Sequence, residues 1–186
     1  MSILTRRSMI AGAGATTLLV AGCANGIGGN GAATIGARAD TSLNFLYNTV
    51  PGRAGLGANP AGMLVMPLVT EASFGIGGSF GRGVLRVGDV SVDYYSAAQA
   101  SFGIQIGAQQ FAHVLFFMTP EALSDFRNSP GWAAGANIKY AVNDRAENIS
   151  AATTTVLSPV IAVVFGQAGL IVGASVEGTK YTRIIP

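Results

Sequence analysis

The 186-residue sequence has one cysteine, one histidine and one tryptophan, and only 11% of its residues are charged. A single cysteine excludes a disulfide-stapled scaffold, and a single histidine excludes a multi-histidine metal centre. Clustered base is lacking too. The formal charge is +2, too small for the phosphate neutralisation that carries nucleic-acid binding. The scarcity of charge does not imply disorder, because 49% of the residues are hydrophobic and a disordered chain needs low hydrophobicity with high net charge. What the chain has in excess is glycine, 26 residues, about twice the usual ~7% share. The length fits one domain with a substantial core.

Residues 1–22 read as an export signal: a charged start, a short Ala/Gly-diluted apolar stretch and a small-residue exit. The apolar part is shorter than the ~20 residues of a membrane span. Thr5-Arg6-Arg7-Ser8-Met9-Ile10 resembles a twin-arginine signal, with Arg6 and Arg7 as its pair. A general-route signal with two adjacent arginines is the alternative. Val20-Ala21-Gly22-Cys23 resembles a bacterial lipobox, in which the cysteine is acylated and becomes the first residue. Cys23 is thus the expected lipidation site. Ala24 and Asn25 follow it rather than an aspartate, and the expected location is the cell envelope: anchored in the outer membrane, facing the periplasm or the surface. Two of the eleven basic residues, Arg6 and Arg7, belong to this leader. The nine that remain match nine acidic residues, so the rest of the chain is formally neutral. Any attraction to an anionic membrane must come from a local patch.

Residues 23–37 are expected to form a flexible tether, on the strength of the Asn/Gly-rich run after Cys23. The domain proper is expected over 38–186. Leu43, Leu46, Tyr47 and Val50 repeat at helical spacing and predict a helix from Asp40 to Val50, stopped by Pro51-Gly52. A further helical turn is expected over Arg53–Ala58. Strands follow: Met63–Met66 ended by Pro67, the Gly-punctuated Ala72–Phe80, and Gly83–Val87 before a Gly88-Asp89 turn. Ser101–Gln109 alternates with period 2, and Phe111–Met118 is apolar on both faces. Thr119-Pro120-Glu121 is a helix start, predicting a short helix near 120–128. Gly135–Val142, Val160–Phe165 and Leu170–Val176 read as further strands. The two long uncharged stretches, Tyr94–Pro120 and Asn148–Val176, are β-branched and broken by Gly, Gln or Pro159, so they read as strands rather than membrane helices. A transmembrane barrel is the competing architecture.

Signatures of catalysis do not assemble. Gly75-Ile76-Gly77-Gly78-Ser79-Phe80-Gly81 misses the dinucleotide register because Phe80 stands at the last glycine, and no Gly-Lys-Ser/Thr follows. His113, between Phe111-Ala112 and Val114-Leu115, lacks a Gly-x-Ser-x-Gly partner motif and reads as a core strand histidine; Ser101 and Ser175 are the serines it could serve. Asp89 with Asp93, and Asp144 with Glu147, do not follow a calcium-loop pattern. No catalytic residue, metal site or cofactor is expected. For phosphate headgroups the candidates are Arg82 and Arg86, four apart, with Lys139, Lys180 and Arg183, since a guanidinium offers a planar donor fork.

Several blocks together resemble the SYLF-domain family: Gly62-Met63-Leu64-Val65-Met66-Pro67, Ala72–Gly78 with Gly81–Leu85, Tyr94-Tyr95-Ser96, Ser101–Gln109, and Gly169–Gly178. The resemblance runs from about residue 40 to residue 186. It implies a lipid-binding module, phosphoinositide-directed in eukaryotic members through a basic amphipathic N-terminal segment; with no site assembled, no enzyme is expected. Here that segment carries only Arg38 and Asp40, with Arg53 beyond it and no run of lysines. The expected partner is therefore bacterial anionic phospholipid, met through the acyl anchor and the domain surface. A protein-interaction or structural lipoprotein, or a carrier of a small apolar ligand, are the alternatives. The expected fold is α+β: a strongly curled, Gly-rich, barrel-like antiparallel sheet with an N-terminal helix and one short helix.

Overall fold

Gly88-Asp89 is the turn of one very long hairpin. The computed structural model describes residues 29–49, 60–135, 139–142, 158–166 and 176–186. In it the strand before the turn, β1, runs Gly62–Val87, and the strand after it, β2, runs Val90–Phe117. Gly88 adopts φ 58°, a conformation open to glycine at no steric cost. The strands expected separately between Met63 and Met118 are segments of these two. Pro67 does not end β1 as expected. Met66 pairs with His113 and Val69 with Phe111, which leaves Pro67 and Leu68 opposite Ala112 alone. Such a bulge needs no ladder bond from the amide proton that proline lacks.

A straight strand of 26 residues would span about 86 Å at ~3.3 Å per residue. Instead β1 curls back until its last third lies on its first. A side chain at Gly83 would run into the Val65 carbonyl, and a Cβ at Gly81 would stand 2.7 Å from the Leu68 carbonyl oxygen. The reversal passes through the glycine-rich stretch at 75–78, next to a second register shift at Phe74/Gly75.

The other strands line the far edge of β2. Residues Lys180–Ile184 (β6) pair antiparallel with Tyr94–Ala98, and Val160–Phe165 (β5) pair antiparallel with Ala112–Phe117. The two-residue β3 (Trp132–Ala133) adds to β6, and β4 (Lys139–Val142) runs parallel to β5. That parallel pair is a local exception in an antiparallel, strongly curled sheet. β6 was not anticipated: its five residues alternate around Tyr181, the one that is buried.

Two helices complete an α+β fold. The first, α1, spans Gly31–Thr49 and buries Ile35, Ala39, Leu43 and Leu46, a 4-4-3 stripe. It therefore begins inside the expected tether, and residues 31–37 are helical. The cause is Ile35, which extends the apolar stripe a full turn ahead of Ala39, with Gly31 seated against Pro186. The second, α2, is Pro120–Asn128, and the Thr119 hydroxyl accepts a hydrogen bond from the Ala122 amide at 3.2 Å, the expected N-cap.

Alternation along the hairpin divides the core in two. Leu64, Met66, Leu115 and Phe117 point to the side where Phe126 of α2 and Tyr181 pack; Val65, Val114 and Phe116 point to α1. No helix among the described residues is long and apolar enough to cross a membrane. Cys23, Arg6, Arg7, the first tether residues, the turn at 53–58 and the strand expected at 170–175 lie outside the described residues.

Candidate functional site

β1 changes character after Val69. From Leu64 to Pro67 every side chain is buried, since α1 covers one face and the core the other. Beyond the bulge the even-numbered residues share one face of the strand, and that face is open: Phe74 is 80% exposed, Ile76 74% and Phe80 53%. Arg82 continues the same row and is exposed. Opposite it, Ser79 and Gly81 are buried. Three large apolar side chains on one face, ending in a cation, are more than the scattered single residues of an ordinary soluble surface.

The arginines fall into two groups. Arg86 reaches Asp40 at 2.7 Å and the Gly36 carbonyl at 3.5 Å, with its side chain only 14% exposed. It clamps α1 to the hairpin, so Arg82 and Arg86 do not act together at the hairpin tip. Arg127 and Arg183 share Asp93, at 3.1 and 3.5 Å, and Arg183 also donates to the Arg127 carbonyl. This network ties α2 and β6 to the start of β2. Arg38 and Arg82, by contrast, make no ion pair or side-chain hydrogen bond among the described residues, and both border one cavity of about 480 Å³ between α1 and β1. No carboxylate side chain lines that cavity among the described residues. Lys180 is exposed at the start of β6, where its alkyl chain lies against Gly131. Lys139 is in β4, and its side chain lies outside the described residues.

The candidates from the sequence are thus scattered. Arg82 is at the open face, Arg86 inside a helix clamp, Arg183 in a separate ion-pair network and Lys180 on another edge. Arg38, which lines the same cavity as Arg82, was not among them. Its signal was the helical spacing of Thr34, Arg38, Ser42 and Phe45, visible only once α1 is extended back to Gly31.

His113 is a core residue, 1% exposed. Its Nε2 and the Tyr181 hydroxyl are 2.8 Å apart. Burial pushes its pKa down to about 3, so the ring is neutral near pH 7. The two serines named for it have side chains outside the described residues. Asp93 is spent on its two arginines, and no cluster of three or more metal-ligating side chains occurs among the described residues.

Residues 98–183 match the family model described as Ysc84, Las17-binding protein actin regulator. The expected SYLF resemblance is thus borne out for that segment, from Ala98 in β2 to Arg183 in β6. The match leaves out α1 and also β1, which carries the open face. No curated protein matches the chain.

Proposed function

We propose that the protein is a non-enzymatic lipoprotein of the bacterial envelope whose domain contacts anionic phospholipid. The observation that carries this reading is the row Phe74, Ile76, Phe80 and Arg82 on one exposed face of β1. Apolar side chains favour the acyl boundary of a bilayer and a neighbouring guanidinium favours its phosphates. Net charge adds no long-range attraction, because the chain beyond its leader is formally neutral. The contact is therefore local and weak. Acyl chains on Cys23 supply the stable attachment, since one weak signal holds a protein at a membrane only marginally. Of the sequence candidates Arg82 serves the headgroup, while Arg86 and Arg183 hold the fold.

Two measurements test this. Labelled palmitate is expected on the wild-type chain and absent from Cys23→Ser; label retained by the variant overturns the anchor. The unacylated Cys23→Ser chain is expected to co-float with cardiolipin-rich vesicles more than with neutral ones. Equal behaviour with both would favour a protein-interaction role on the same fold.

A further inference from the structure

The cavity that holds Arg38 and Arg82 does not stand alone. A second, of about 370 Å³, shares Arg38, Pro67 and Leu68 with it, and a third, of about 280 Å³, shares Thr41, Ser42 and Pro67 with the second. The three share lining residues in a row along the flank of α1, and we take them together as one groove. Its helix wall is the stripe Thr34, Arg38, Ser42, Phe45, next to the stripe that packs on the sheet. Its floor is the β1 bulge, where Pro67 borders all three cavities. The Ser42 hydroxyl donates to the Pro67 carbonyl at 3.4 Å, fixing the helix over the bulge.

The groove is polarised. One end has the two arginines that make no ion pair or side-chain hydrogen bond among the described residues, and no carboxylate among its described lining. The other end has Phe45 stacked on Phe165 with ring centroids 6.0 Å apart, and Ala112. From Gly31 to Phe45 the helix rises about 21 Å at 1.5 Å per residue. One leaflet of a bilayer is about 15 Å of hydrocarbon, half the ~30 Å core. The groove is therefore long enough for one acyl chain and its headgroup, with the charge at the correct end.

We propose that the α1–β1 groove binds a single anionic amphiphile, its phosphate between Arg38 and Arg82 and its chain along Leu68 and Pro67 toward Phe45 and Phe165. This rests on the lipid-binding reading above and shares Arg82 with it, but adds a site for one molecule beside the bilayer contact of Phe74 and Ile76. The occupant is a phosphate-bearing lipid rather than a peptide, because the cationic end leads into an apolar trough and the groove's lining holds no carboxylate to pair a basic segment.

The test uses the full chain carrying Cys23→Ser and hexadecyl phosphate below its micelle concentration, without vesicles, by equilibrium dialysis. One mole bound per mole of protein is expected, with hexadecanol and inorganic phosphate each at least about tenfold weaker. Losing two charge-assisted hydrogen bonds in R38Q/R82Q should weaken hexadecyl phosphate at least tenfold. T41W, on the exposed middle of the groove wall, should do the same without altering the melting temperature; R127Q should change nothing. Hexadecanol binding as tightly as hexadecyl phosphate would overturn the anionic assignment. No binding of hexadecyl phosphate, with vesicle flotation retained, would overturn the groove and leave the surface reading standing; loss of both would overturn both.

Discussion

Phe117 and Phe74 lie on the two strands of one hairpin, yet Phe117 is fully buried and Phe74 is 80% exposed. At the root of the hairpin both faces are covered, by α1 on one side and by α2 and Tyr181 on the other. At its middle the same ladder continues, but one face of β1 is open and aromatic. The root carries the free energy of folding and tolerates no change of volume. The middle contributes little to that and is free to present surface. A continuous strand thus holds two regions with different work, separated by a bulge at Pro67-Leu68 and a reversal at the glycines.

The sharpest way to break the root is at the crossing of β1 on itself. Gly83→Val places a side chain against the Val65 carbonyl and should cost more than the about 4–5 kcal/mol that marks an exceptional substitution; thermal unfolding by circular dichroism would show no cooperative transition near the wild-type midpoint. Next comes the direct pair. Phe117→Ala should cost about 3–5 kcal/mol, while Phe74→Ala should stay within about 0.5 kcal/mol, both read by urea unfolding. Equal costs would erase the distinction.

A third prediction uses pH. His113 is neutral in the folded protein down to about pH 3, whereas unfolded histidine takes its proton near pH 6.5. Above that pH neither state is charged and the group contributes no slope. Below it only the unfolded chain binds the proton, so stability falls by roughly 1.4 kcal/mol per pH unit as the pH drops toward 3. His113→Leu should lower stability at pH 8, by removing the buried contact between Nε2 and the Tyr181 hydroxyl, and should remove that slope. A small loss is expected at the helix clamp. Asp40 is 59% exposed, so Asp40→Asn should cost only about 0.5–1 kcal/mol, less at high salt.

The sequence made some of this legible and hid the rest for physical reasons. Thr119-Pro120-Glu121 and Gly88-Asp89 act through their own backbone, so α2 and the turn could be read locally. The apolar run from Phe111 to Phe117 could be read as covered on both faces, and it is. Pro67 misled because a bulge satisfies what a regular ladder would not. The crossing of β1 could not be read, because Gly81 and Gly83 are small on account of Leu68 and Val65, partners more than a dozen residues away. Arg82 and Arg86 stand four apart on one strand; Asp40, brought across by α1, separates the cation that holds the fold from the one that has no ion pair among the described residues.

The most direct measurement is vesicle flotation of a Phe74→Ser/Ile76→Ser variant in the Cys23→Ser chain, alongside its melting temperature. The expected result is an unchanged midpoint with at least about a tenfold loss of partitioning onto cardiolipin-rich vesicles, given ~1.5–3 kcal/mol for each large apolar side chain withdrawn from contact. Undiminished flotation at an unchanged midpoint would contradict the assignment of the open face of β1 to the membrane.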